Sequence, residues 1–175
     1  MDEFLHSVLS RFGYGGLERQ LNEWNNAHDP LQHGTSFASA AAAAMLCAMQ
    51  YSHTDMLCYY DAKLTAGAYG GFFAPLTYKP TATYQVFKAF GQLYALKNQV
   101  SCKMQDKVWA VAATDGVKKA VMVVNYAEEE KAIELSVGEN FAVYLIDKEH
   151  AIERTDINAK SFVLQPNQVA LVKND

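Results

Sequence analysis

No Cys-x-x-Cys pair and no Cys/His ligand spacing occurs in this sequence. Its three cysteines, Cys47, Cys58 and Cys102, are odd in number, scattered and set among apolar neighbours. That argues against a structural zinc site and fits a reducing compartment; Cys47 and Cys58 read as small core residues. There is no basic excess: the formal net charge is −4 and Lys118-Lys119 is the only basic doublet. A partner whose phosphates need neutralising is therefore not expected, which argues against a nucleic-acid ligand. The longest apolar run, Ala40 to Met49, falls well short of the roughly 20 residues that span a bilayer. The opening Met-Asp-Glu-Phe-Leu-His-Ser-Val-Leu carries acid where a signal peptide carries Lys or Arg. Gly67, Gly70 and Gly71 follow no phosphate-binding order and no Lys comes after them, so no cofactor is expected. Internal repeats and low-complexity linkers are missing too. With 50% apolar and 19% charged residues, the composition is that of a globular protein.

What is present changes character near Asn98. Before it, Phe4, Leu5, Val8, Leu9 and Phe12 lie along one face of a helix over 2–12. Phe12-Gly13-Tyr14-Gly15-Gly16-Leu17 then stops it. Leu17–Leu21 and Asp55–Tyr60 read as strands. Phe37 to Tyr51, capped by Thr35 or Ser36, reads as a helix apolar nearly all round, and Tyr84 to Leu96, capped by Thr81 or Thr83, as another. After Asn98 the runs are short. Val108–Ala113 and Lys119–Asn125 flank Asp115-Gly116, a hairpin signal. Further strands are expected at 131–137, 141–147, 161–164 and 169–173. Their spacing predicts an antiparallel sandwich. The expected organisation is α/β followed by all-β, with domains at 1–98 and 99–175. Trp109, Tyr126, Phe141, Tyr144 and Phe162 fall among apolar neighbours and are expected in the sandwich core.

The stretch richest in chemistry is Leu21-Asn22-Glu23-Trp24-Asn25. Helix, glycine turn, strand, Glu at the strand's C-terminal end, loop and helix is the layout of one unit of a (β/α)8 barrel, where strand ends carry the chemistry. Glu23 flanked by Asn22, Trp24 and Asn25 suits sugar work: the ring stacks, the amides bind hydroxyls, and the carboxylate attacks or carries a proton. Tyr59, Tyr60 and Asp61 end the second strand and share that rim. A Tyr there could hydrogen-bond the carboxylate, and alternation lets only one of the two point inward. Tyr69 and Phe72-Phe73 belong to the glycine-rich loop beyond. His28 and His33 are spaced i, i+5 and read as loop residues, not as metal ligands.

Asn22-Glu23-Trp24-Asn25, the Ala-rich helix, Tyr59-Tyr60-Asp61, Tyr69-Gly70-Gly71-Phe72-Phe73 and Thr83-Tyr84-Gln85-Val86-Phe87 together resemble the C-terminal part of a retaining glycoside hydrolase. The nearest group is that of the β-xylosidases and α-iduronidases, glycoside hydrolase family 39 and its relatives. The resemblance implies the C-terminal βαβα portion of a (β/α)8 barrel followed by an antiparallel β-sandwich, with 17–21 as strand seven and 55–60 as strand eight. It makes Glu23 the nucleophile and places Asn22, Trp24, Asn25, Tyr59, Tyr60, Asp61 and Tyr69 around the sugar. It also implies an acid/base Glu after an Asn at the end of strand four, which this sequence does not contain. The expectation is a glycosidase portion acting on β-xyloside-like substrates when completed by the other barrel half and inactive alone. The alternative is a non-catalytic carbohydrate-binding or structural module. Two barrel strands cannot close a barrel, so the first part of the chain is expected to associate, with another copy or with the missing N-terminal half.

Overall fold

The structure, a computed structural model, describes residues 2–26, 29–62 and 69–174. Helix α1 (Asp2–Arg11) ends at Gly13, whose φ of +83° lets the Tyr14 amide donate back to the Leu9 carbonyl. Strand β1 (Gln20–Trp24) pairs in parallel with β2 (Met56–Tyr59), and α2 (Ser36–Met49) makes the crossover between them. Helix α3 (Ala82–Tyr94) follows β2. Thr35 and Thr81 are the N-caps, their hydroxyls accepting from the amides of Ala38 and Tyr84.

Strands β3 (Asn98–Val100), β4 (Val108–Thr114), β5 (Lys119–Asn125), β7 (Phe141–Ile146), β8 (Ala151–Thr155) and β10 (Val169–Asn174) form one antiparallel sheet. Its order is β3-β4-β5-β10-β7-β8. Strands β6 (Lys131–Glu134) and β9 (Ser161–Leu164) pair as a second, two-stranded sheet. The sandwich expected after Asn98 is therefore present. The β4–β5 hairpin turns where Asp115-Gly116 predicted it, with the Asp115 carboxylate accepting from the amides of Val117 and Lys118.

Strand alternation divides the large sheet's side chains between two cores. Val111, Ala113, Ala120, Met122, Val124, Ile146, Val169 and Leu171 pack with α2 and α3. Val108, Ala110, Val123, Val143, Leu145, Ala170 and Val172 pack with Ile133, Phe162 and Leu164 of the small sheet. The helices also carry β1 and β2 on their far side, since Leu21, Trp24, Leu57 and Tyr59 join the first core. The molecule thus stacks in four layers: strand pair, helix pair, large sheet, small sheet. Both faces of β5 are covered, which explains why Ala120–Val124 is apolar without interruption. Of the expected sandwich aromatics Phe162 is buried and Trp109, Tyr126, Phe141 and Tyr144 are half-buried.

Three local readings are corrected. Strand β1 begins at Gln20 and not at Leu17, because a turn closed by Leu17 N–H and the Tyr14 carbonyl occupies the earlier residues. Cys58 is exposed, not in the core, since it alternates with Leu57 and Tyr59 and they face the helices. Strands β3 and β8 were not expected. Both lie on the large sheet's edges and are mostly exposed, so apolar patterning does not mark them.

Between β7 and β8, Asp147 accepts from the Gln168 side chain at 2.8 Å, from the Glu149 and His150 amides, and pairs with the His150 ring at 2.8 Å. Burial opposes ionisation of Asp147, but these bonds outweigh it and hold its carboxyl below the usual range. The same bond raises the His150 imidazole. The stability from Asp147 is present above its unfolded value and is lost as pH falls through its lowered folded one. That from His150 is full below its unfolded value and is lost as pH rises through its raised folded one. The difference in Tm between the native chain and His150→Gln should be largest below the ordinary imidazole value of about 6.5, while Asp147 is still ionised, and shrink as pH rises through the raised value of His150. A difference constant from pH 5 to 9 in thermal melts would rule this coupling out.

Candidate functional site

The parallel strand pair has one face on the helices and one bare. In the register, Gln20 stands opposite Met56, Leu21 opposite Leu57, and Trp24 opposite Tyr59. Three steps along β1 match two along β2, so a bulge sits at Asn22–Glu23. It has a direct chemical effect. Leu21 and Trp24, three residues apart, would point to opposite faces of a regular strand. With the bulge, both reach the helix core, while Asn22 and Glu23 are left exposed. Gln20, Met56, Cys58 and Tyr60 are exposed as well. Glu23 therefore stands on the uncovered side, near the C-terminal end of β1.

The other expected site residues separate by face. Trp24 is buried, with its indole 5.0 Å edge-on to Tyr59 and 6.1 Å from Phe87. Tyr59 stacks on Phe72 at 5.0 Å and lies 5.1 Å from Phe87. Both belong to the aromatic layer between the strands and α3. Tyr59 does not serve as the carboxylate's partner in this arrangement, because its hydroxyl donates to the Gly70 carbonyl at 2.7 Å. Burial is the main cause that pushes its phenol up to about 12; the Asn25 side chain pulls the other way and Asp61 adds to the rise. Tyr59 is thus a neutral phenol under ordinary conditions.

Tyr60 faces away from Tyr59 and meets Tyr69 edge-on at 5.6 Å, both rings being exposed. Asp61 is half-buried just beyond. Asn25 ties these parts together: its amide donates to the carbonyl of Tyr60 and, at 2.9 Å, to that of Gly70. Sequence reasoning gave Asn25 a sugar hydroxyl; the geometry has its amide nitrogen holding the end of β2 and the start of the next loop. Nothing in the spacing signals that tie, since Tyr60 and Gly70 lie 35 and 45 residues away. His33 is half-buried in the loop before α2; His28 and Gly67 lie outside the described residues. Among the described residues no cluster of His, Cys, Asp or Glu could hold a metal ion, and no helix is long and apolar enough to cross a membrane.

No family model matches the chain and no curated protein sequence matches it. Solved structures do match. A glycoside hydrolase family 30 subfamily 8 xylanase from Clostridium acetobutylicum superposes with a TM-score of 0.69 at 13% identity, over 96% of this chain and 45% of its own. A glucosidase from Croceicoccus marinus gives 0.73 at 18% identity, over 98% and 48%. A family 39 β-xylosidase from Caulobacter crescentus gives 0.66 at 14%, over 99% and 47%. The chain therefore has the fold of one portion of glycoside hydrolases of families 30 and 39, and it spans less than half the length of each of these three structures.

Proposed function

We propose that this chain is the C-terminal portion of a retaining glycoside hydrolase acting on β-xyloside-like substrates, with Glu23 as its nucleophile. Residues 1–98 would supply the last two βα units of a (β/α)8 barrel and 99–175 the sandwich that braces them. The observation that carries this reading is the bulge at Asn22–Glu23, which exposes a carboxylate on the bare face of a parallel pair at its C-terminal end. In such a barrel that face lines the interior and that end holds the chemistry. Asn22, Tyr60, Asp61 and Tyr69 stand nearest to a sugar in this arrangement. Trp24, Tyr59 and Asn25 act from behind, by fixing the strand ends.

The alternative of a non-catalytic carbohydrate-binding sandwich has less support. A binding sandwich presents exposed aromatics on one face, and the sandwich aromatics here are buried or half-buried. The bare strand face, the exposed Phe4 and Leu5 of α1 and the exposed Phe12 just after it would be covered by the preceding barrel strands and helices or by a second copy.

The test is covalent trapping. An activated 2-fluoro-xylosyl fluoride needs a nucleophile and no acid, because fluoride leaves unprotonated. It would be incubated with the protein that includes the upstream barrel strands of the same reading frame, followed by peptide mass spectrometry. The expected result is a glycosyl adduct on the peptide holding Glu23, absent in Glu23→Gln. An adduct on another carboxylate, with Glu23 unmodified, would remove Glu23 from the reaction.

A further inference from the structure

At the end of the strand pair opposite Glu23, a polar cluster fastens α1 to the body of the protein. Arg19 comes just before β1. Its carbonyl accepts from the amides of Asp55 and Met56, and its own amide donates to the Asp55 carboxylate at 2.8 Å. From the same residue the guanidinium reaches the His6 ring of α1, Nη1 to Nδ1, at 3.0 Å. That ring lies flat on the ring of His53, in the loop between α2 and β2, with centroids 3.7 Å apart and planes 10° from parallel. Two acids in the first turn of α1 grip the same loop. Asp2 accepts from the His53 amide at 2.7 Å, and Glu3 stands 3.2 Å from His53 Nε2.

These polar contacts matter because α1 has little else. None of its residues is buried, and at ten residues it is short. A helix of fewer than about 12–15 residues does not hold itself together in water, so the helicity of α1 leans on the cluster.

The geometry also says where the protons are. A guanidinium donates and cannot accept, so His6 Nδ1 is the acceptor and its ring is the neutral tautomer with the proton on Nε2. His53 is placed differently: its Nε2 faces a carboxylate, and a proton there completes an ion pair with Glu3. A proton on His6 Nδ1 does the reverse. It takes the acceptor away from Arg19, whose Nε is already buried without a partner. It also sets a cationic ring between a guanidinium and the second imidazole. Asp2 and Asp55, the other charged groups of the cluster, lessen that repulsion. Both already accept from backbone amides, and neither restores the lost bond.

We propose that the stacked His6–His53 pair is an acid-sensitive latch on α1. With His6 neutral, the latch holds α1 against the loop before β2; protonation of His6 releases the helix, which then unwinds while the sheets stay folded. The inference does not rest on the role given to Glu23, which lies at the other end of the strands.

The test is peptide-resolved hydrogen exchange of the 175-residue chain at about pH 8 and about pH 5, corrected for intrinsic rates, with the β4–β5 hairpin as internal reference. On acidification the α1 amides should lose about tenfold in protection relative to the hairpin. His6→Asn offers Arg19 a carboxamide oxygen that takes up no proton, and should keep α1 protected at both pH values. Glu3→Gln and His150→Gln leave the His6–Arg19 bond in place and should retain the acid response. In the native chain, the His6 ring signals in NMR should titrate in step with the loss of α1 protection. Equal protection of α1 at both pH values, or an acid response undiminished in His6→Asn or abolished by Glu3→Gln, would overturn the proposal. So would a His6 ring that takes up its proton while α1 stays protected, a result that needs no variant to fold.

Discussion

The purified 175-residue chain should hydrolyse aryl β-xylosides no faster than buffer does. A retaining glycosidase works with two carboxyl groups about 5–5.5 Å apart, one attacking the sugar and one protonating the leaving oxygen. Glu23 would be the first. Asp61, at the end of the adjacent strand, is not proposed as the second, because in the barrel arrangement proposed above the acid/base group would lie across the mouth and not beside the nucleophile. Loss of general acid–base assistance costs about 10²–10⁴-fold in rate, and the strand pair alone would offer little to hold the sugar. The penalty should be smallest for a dinitrophenyl leaving group, which departs without a proton. The measurement is steady-state release of nitrophenol and dinitrophenol from matched xylosides. Robust turnover of the nitrophenyl substrate, abolished by Glu23→Gln, would mean that this chain holds an acid/base group of its own.

The second large effect is on stability and falls on Asn125, a fully buried polar residue at the end of β5. Its amide nitrogen reaches the carbonyls of Glu129, Leu164 and Gln165 at 2.8, 3.0 and 3.1 Å, and its oxygen accepts from the Ala127 amide at 3.0 Å. One side chain thus binds the large sheet to the loop before β6 and to the turn after β9. Asn125→Ala should destabilise by about 2–4 kcal/mol, since each buried group left without a partner costs about 1–3 kcal/mol. For a chain of this length that is a fall in Tm of roughly 4–15 °C. Asn125→Asp keeps the shape but sets a carboxylate against three carbonyl oxygens. It should be worse than alanine at neutral pH and recover on acidification, when the protonated acid regains a donor. Urea unfolding at pH 7 and pH 4.5 decides this; a loss under 1 kcal/mol for both variants would show that Asn125 is not a hub.

How far the sequence was legible depended on whether the deciding contact was local. Helix ends were readable because their causes sit within a few residues: Thr35 and Thr81 cap the helices they precede, and Gly13 ends α1. Strand β5 falls on the expected run because packing on both sides leaves a strong apolar signature, and β9 because buried Phe162 and Leu164 alternate with exposed Ser161 and Val163. Strands β3 and β8 were invisible for the opposite reason, being exposed edges held mainly by backbone bonds. At the candidate site, Glu23 could be singled out by its companions, but which way it faces could not. Strict alternation would have put Leu21 and Glu23 on one side, and only the pairing with β2, more than 30 residues on, reveals the bulge. The roles of Trp24, Tyr59 and Asn25 were hidden by the same distance. Each is an ordinary sugar-binding type by chemistry, and only the contacts with Phe87, Phe72 and Gly70 show that Trp24, Tyr59 and Asn25 are engaged within the fold.

The four-layer stacking has a consequence for how such proteins could be assembled by gene recombination. A tethered accessory domain can be exchanged at its linker because little of its surface depends on its neighbour. Here Met122, Val124 and Leu171 of the large sheet share one core with Ala42, Val86 and Leu93 of the helices. A crossover between α3 and β3 would join two halves whose facing surfaces had been shaped for other partners, leaving clashes or voids across the whole contact. The last two helices and the sheet beneath them should therefore be inherited together. Shuffled chimaeras that break between Tyr94 and Asn98, or in the β4–β5 turn, should rarely be recovered, since either break sets Met122, Val124 and Leu171 against another parent's helices.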